Sequence, residues 1–249
     1  VISLIKLSKL FTVKSGDFHI AWLTAIDNVL ESDVDIIFGD PKEPKYAKDS
    51  CQTIELTGNA INQITREKLH PDFSFKSVEQ YKREFDVDFL LNKYNTWPPK
   101  KKFTYLYVER IVQYQGITDQ LKVLRDQLED QINNKIGSNR SQAITWEPKL
   151  DIVSNASPCF QRAWNRWIGE EDGVNYVDLH LDWRSRDLFN AWQPNLIAII
   201  WMMNKYVYGP NNCKIYRLID KNDSLHIYRG DVKQAEEVVK RRLPFAMRR

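Results

Sequence analysis

Val177-Asp178-Leu179-His180-Leu181-Asp182-Trp183 alternates apolar and polar side chains without a break, and Pro194-Asn195-Leu196-Ile197-Ala198-Ile199-Ile200-Trp201-Met202-Met203 follows it along the chain. Strict alternation is the mark of a strand with one face on a core. The second stretch is apolar nearly all round, so it reads as a helix buried on every side. A half-buried strand beside a fully buried helix predicts an α+β fold: one domain over residues 1–249, with a mixed sheet packed against a buried central helix.

Working outward, Ile20, Leu23, Ile26 and Leu30 stand at helical spacing within 18–31. Ile117, Leu121, Leu124, Leu128 and Ile132 mark a second such helix, expected to end near Gly137. Residues 77–85 read as a helix with Ser77 as its N-cap. Strands are expected at 52–56, 143–146, 159–168, 213–219 and 224–228. The Pro-, Lys- and Asp-rich segment 40–50 and the segment 95–102, with Pro98-Pro99, read as loops. No internal repeat, low-complexity tract or linker interrupts the chain.

At 249 residues with 43% hydrophobic side chains, including 8 Trp, 11 Tyr and 11 Phe, the chain can build a large core. Its net charge of +3 does not call for nucleic acid as a partner. The clusters Lys100-Lys101-Lys102 and Lys240-Arg241-Arg242 are short and read as solvated surface. Three widely spaced cysteines argue against a disulfide framework, and four scattered histidines with no CxxC or HxxxH pair argue against a metal site. The longest apolar run, 196–203, is too short to span a bilayer, so no membrane partner is expected. No signal peptide is evident, and the opening Val1 reads as a processed or trimmed start. The expectation is a reduced, soluble, cytoplasmic protein.

The chemistry concentrates in two short motifs. Cys159 lies in Ser157-Pro158-Cys159-Phe160, and the alternating strand runs into Arg184-Ser185-Arg186-Asp187. A cation beside a thiol stabilises the thiolate, which is the nucleophilic form. Arg184 would then hold Cys159 ionised and face an anionic substrate. A buried structural cysteine is the plainer alternative. Further along stand Asn195 and His226-Ile227-Tyr228. Upstream are Ser138-Asn139-Arg140, Tyr105-Leu106-Tyr107-Val108-Glu109-Arg110 and Asp119-Gln120.

In order and spacing, these motifs resemble the thymidylate synthase family, and its archaeal-type branch most closely. The resemblance covers about residues 75–232. It implies a thymidylate synthase-like fold and transfer of a one-carbon unit from 5,10-methylenetetrahydrofolate to C5 of dUMP, with Cys159 as the nucleophile that adds to C6. Arg184 and Ser185 would bind the substrate phosphate. Arg140 would reach the same phosphate across a homodimer interface, or be an ordinary exposed turn residue. Asn195 would read the O4 and N3–H edge of uracil, since an amide both donates and accepts; it also suits an N-cap. His226 and Tyr228 would bind the sugar 3′-hydroxyl, or simply line a half-buried strand. Asp187 would bind the folate pterin, or be a surface acid near a helix. Glu79 is the candidate acid–base group, with Glu84 second.

The sequence also departs from the family pattern. Asn139 stands where the family has a second arginine, and Val108 and Ala191 stand where it has glycines. The basic residue expected from the N-terminal half has Lys48 as its nearest candidate. These departures, with Ser224-Leu225-His226, keep two alternatives open. One is a deoxyuridylate hydroxymethylase, in which water replaces the final hydride. The other is a family member that binds nucleotide without turnover.

Overall fold

The computed structural model describes residues 7–32, 34–73 and 76–243. In chain order, the first half gives β1 (Leu10–Ser15), α1 (Phe18–Glu31), β2 (Asp35–Asp40), β3 (Glu43–Thr57), α2 (Asn59–Thr65), α3 (Lys76–Glu84), α4 (Val87–Asn92), α5 (Tyr107–Val112) and α6 (Gln120–Asn134). The second half gives β4 (Gln142–Ile144), α7 (Pro148–Asp151), β5 (Phe160–Glu171), β6 (Val174–Trp183), β7 (Arg186–Asp187), α8 (Trp192–Met203), β8 (Cys213–Tyr228) and α9 (Val232–Arg242). Together they form a single-domain α+β fold with a mixed sheet.

The strands run β1-β3-β8-β6-β5-β4, with β2 added to β3 and β7 to β8. Asp172 and Gly173 turn β5 into β6, both at positive φ (50° and 74°), as a tight Asp-Gly hairpin requires. From β6 the chain crosses through α8 and returns as β8, parallel to β6. On its other side β8 is antiparallel to β3. The alternation then sorts the two sheet faces. Ala163, Leu179, Leu181, Leu218, Ile54 and Leu56 are buried on one of them. Arg162, Trp164, His180, Asp182 and Lys221 lie on the other, which is half-exposed to exposed. There Arg162 and Lys221 both pair with Asp182.

The central helix is as expected. Every α8 side chain but Trp201 is buried, and the helix packs against α2 and α3. Trp201 remains partly open, with the ammonium groups of Lys82 and Lys205 over its ring at 5.7 and 4.9 Å. In α1, Asp17 accepts from the Ile20 amide as N-cap, and Ala21, Trp22, Ala25, Ile26 and Val29 face the core.

Several boundaries differ from the sequence reading. Residues 40–50 are not a loop: they hold the turn between β2 and β3 and the outer half of β3, paired from Asp35↔Lys48 to Asp40↔Glu43. Their polar composition reflects a strand exposed at its sides. Segments 213–219 and 224–228 are one strand, because β8 continues through Asp220 to Asp223 against β3. The second helix begins at Gln120, with Asp119 as its cap, and leaves Ile117 exposed. It ends at Lys135, which takes the left-handed conformation itself. Gly137 serves a different need, since a Cβ there would sit 2.9 Å from the Trp167 carbonyl oxygen. Ser77 falls inside α3 rather than ahead of it. The segment 95–102 overlaps two short 3-10 turns, Tyr94–Thr96 and Pro99–Lys101.

Candidate functional site

Register brings the second-half motifs to one end of the sheet. Phe160 pairs with Trp183, Trp183 with Asn222, Asp187 with His226, and Ala47 with Tyr228. Cys159, one residue ahead of β5, is half-buried there. Arg184, at the end of β6, holds that approach. Its amide donates to the Cys159 carbonyl at 3.0 Å. Its guanidinium donates to the carbonyls of Pro158 (2.9 Å) and Ser157 (2.7 Å).

This corrects one expectation. Burial pushes the Cys159 thiol above its ordinary range, and the positive charges of Arg184 and Lys45 offset that only in part. The resting thiol is therefore protonated near neutrality, because desolvation outweighs the cations. Lys45 itself escaped the sequence reading, which named Lys48. Lys48 is turned to Asp35 at 4.0 Å. Lys45 lies over the Tyr228 ring at 5.9 Å, and its charge also acts on His226. The strand alternation from Ala47 back to Lys45 would have pointed to it, had 40–50 been read as a strand.

His226 is 2% exposed. Its ring packs edge-on to Phe38 (5.1 Å) and Tyr228 (5.0 Å). Ser224 Oγ donates to Asp49 Oδ1 at 2.6 Å and lies 3.4 Å from His226 Nδ1. The imidazole Nε2 is buried without a hydrogen-bond partner. Burial holds this histidine neutral, at about 4. A buried unpaired ring nitrogen is costly unless a ligand supplies its partner. Burial also raises the Tyr228 phenol, and the nearby Asp187 and Cys159 charges add to it.

The carboxylates separate clearly. Glu79 is 62% exposed and 3.5 Å from Lys82 Nζ, on the outer side of α3. Glu84, on the same helix, faces inward, and burial raises its carboxyl to about 7. Its charge acts on Tyr81 and Tyr107, and Tyr81 also feels Asp187, Arg186 and Tyr228. Tyr107 stacks on Phe85 at 5.1 Å and meets Phe160 and Trp183 edge-on. Glu84 thus acts on Tyr107, on which the Cys159 charge also acts; Glu79 lines a cavity of about 340 Å³ with Glu84 but has no such link to Tyr107. Burial raises the Asp187 carboxyl as well. Its Oδ1 accepts from the amides of Phe189 and Asn190, and its Oδ2 from the Asn190 carboxamide at 3.2 Å.

Asn195 is 4% exposed and sits four residues into the helix. Ala191 holds the N-cap position, so the capping alternative for Asn195 falls away. Ser185 is half-buried between Arg184 and the buried Arg186. Arg140 lies far along the sheet, before β4, where it lines a cavity of about 460 Å³ with Gln127, Asp130 and Ser138. The fold of one chain does not bring it to Cys159. Among the described residues no group of three or more His, Cys, Asp or Glu side chains could hold a metal ion, and no helix is long and apolar enough to cross a membrane.

No family model matches the chain. Curated archaeal proteins do. A protein of Methanothermobacter marburgensis named "Putative thymidylate synthase" is 27% identical over 170 residues, covering 68% of this chain and 66% of the relative. Its namesake in Methanothermobacter thermautotrophicus is 29% identical over 57% of this chain and 59% of the relative. A third, in Methanopyrus kandleri, is 29% identical over 41% and 44%. The matched stretch thus spans less than two thirds of each relative's own length. In overall sequence as in motif order, the chain resembles the archaeal branch of the thymidylate synthase family.

Proposed function

We propose that this chain is a thymidylate synthase-like enzyme over residues 1–249, which transfers a one-carbon unit from a reduced folate to C5 of dUMP through a covalent bond between Cys159 Sγ and C6. The observation that carries this reading is convergence. Cys159, Arg184, Asp187, Asn195, His226 and Tyr228 stand together at one sheet end with Glu84, whose carboxyl is held at about 7.

Arg184, Ser185 and Lys45 supply the cations and hydroxyl for a phosphate. His226 Nε2, buried and unpaired, accepts from the sugar 3′-hydroxyl beside Tyr228. Cys159 gives up its thiol proton to solvent and adds to C6 as the thiolate, which pushes electrons towards O4 and makes C5 nucleophilic. Loss of the C5 proton needs a base, and a carboxyl near neutrality both takes and returns protons at working pH. Glu84 fills that role. The donor set also suits a pterin: Asp187 Oδ2 accepts one hydrogen bond within the chain, which leaves lone pairs for pterin N–H groups. The folate supplies the methylene carbon and, where a methyl group results, the hydride. Arg140 completes the phosphate site of a partner subunit in a homodimer, with the half-exposed sheet face as the surface available for pairing.

One observation favours a second outcome, hydroxymethyl transfer. Asp187 is folded into its own turn by Asn190, and Ala191 opens α8. A side chain at Ala191, where the family has glycine, would crowd the folate beside this turn and leave water the better access to the exocyclic carbon.

The test is an incubation with dUMP and methylenetetrahydrofolate that follows dihydrofolate absorbance and product mass together. A methylated nucleotide with dihydrofolate indicates the synthase. A hydroxymethylated nucleotide without dihydrofolate indicates the hydroxymethylase. Tight dUMP binding without product indicates a non-catalytic member. In the first two cases Cys159→Ser abolishes turnover; full turnover in that variant rejects the covalent mechanism.

A further inference from the structure

Arg186 occupies the variable position of Arg184-Ser185-Arg186-Asp187, and it is 3% exposed. Its Nη1 donates to both Asp220 oxygens at 3.0 Å, and its Nη2 to the Trp192 carbonyl at 2.9 Å. The guanidinium lies 4.0 Å from the Trp183 ring centroid. Asp220 Oδ2 is held in turn by Trp192 Nε1 at 2.8 Å and Asn222 Nδ2 at 2.9 Å. With its plane fixed on three sides, Arg186 directs its Nε–H at Asn195 Oδ1, at 3.3 Å.

A carboxamide is nearly symmetric in shape, and its two orientations read different bases. In one, Oδ1 accepts uracil N3–H and Nδ2 donates to O4. In the other, Oδ1 accepts the cytosine amino group and Nδ2 donates to cytosine N3. An asparagine free to turn therefore matches both pyrimidines. A turned Asn195 would set its Nδ2 against Arg186 Nε, donor against donor. Its observed orientation satisfies Arg186 with one Oδ1 lone pair and leaves the other for N3–H.

We infer that Arg186 is a positioning residue that locks the Asn195 carboxamide in the orientation that matches uracil and refuses cytosine. The inference rests on the proposed function, in which Asn195 meets the base. It assigns base selection to the pair Arg186–Asn195 instead of to Asn195 alone.

The test uses two variants of the full chain. Arg186→Lys keeps a charge opposite Asp220 but lacks the Nε–H. Arg186→Met with Asp220→Asn removes both charges, so no buried carboxylate is left unpaired. Thermal unfolding establishes that each is folded, and if one is not, the other carries the test. Calorimetric titration with dUMP and with dCMP then gives an affinity ratio. A general loss of structure weakens both nucleotides alike and leaves that ratio where it was. The expected result is a wild-type preference for dUMP that falls by about tenfold or more in either variant, through a gain in dCMP binding. An unchanged ratio overturns the lock, and so does a wild-type protein that binds both nucleotides equally. Either result leaves the proposed function standing. A wild-type protein that binds neither nucleotide overturns the proposed function and the lock with it.

Discussion

Glu79 and Glu84 share one helix and differ in burial: Glu79 is exposed and paired with Lys82, and Glu84 is turned inward. Val78, Tyr81 and Phe85 mark the inward stripe at helical spacing, and Glu84 lies on it between the last two. The sequence carries that signal, although Glu79 stands as the first candidate and Glu84 as the second when the helix is read without its stripe. Replacing Glu84 by Gln is expected to lower kcat by about 100-fold or more, whereas Glu79→Gln stays within about twofold, as steady-state rates would show. Glu84 also sets a stability trend. Its folded value of about 7 lies above the ordinary 4.5, so the folded chain favours its protonated form. That contribution is complete below about 4.5 and is lost as pH rises through about 7. It amounts to at most about 3 kcal/mol, reduced by whatever solvent reaches the carboxyl. In urea titrations across this range, the wild-type protein should lose stability relative to Glu84→Gln as pH rises. A constant difference would place the carboxyl in water. The Cys159 thiol shows the limit of motif reading at this scale: a neighbouring Arg184 could be inferred, but the desolvation that outweighs it could not.

At the scale of elements, patterns that report burial were legible and patterns that report pairing were not. The alternation in β6 and the all-round apolarity of α8 each identify a structure through its contact with the core. Truncating Ile199, which is fully buried in α8, should therefore cost about 2–5 kcal/mol by chemical denaturation. Trp201→Ala, on the partly open side of the same helix, should cost less than its size suggests. By contrast, the outer half of β3 has four exposed residues in a row, Glu43 to Tyr46. It is a strand because β2 pairs with it, which composition does not reveal. The continuity of β8 through Asp220, Lys221, Asn222 and Asp223 has the same origin. Lys45, and with it part of the proposed phosphate site, was hidden by that blind spot.

At the scale of the whole molecule, the distance between Arg140 and Cys159 along the sheet becomes a statement about assembly. In a two-fold dimer each site would take Cys159 from one subunit and Arg140 from the other. Inactive Cys159→Ser and Arg140→Ala chains, mixed and allowed to exchange, should then regain about a quarter of wild-type turnover, because half the dimers are mixed and each holds one intact site. No recovery after demonstrated exchange would confine each site to one chain. The strand order carries a further consequence. β8 is the central strand, between β3 and β6, yet among the described residues it is the last strand in chain order. During synthesis β1 to β3 and β4 to β6 emerge as two incomplete sheets, each with an open edge meant for β8. Pairing Ala47 with Tyr228 joins segments from opposite ends of the chain, and such non-local closure is slow. Until β8 leaves the ribosome, both edges remain open to the wrong neighbours. Cys159 and Arg184 can already meet in the β5–β6 hairpin, but His226 and Tyr228 join them only with β8, and the interval of greatest aggregation risk falls just before β8 is made.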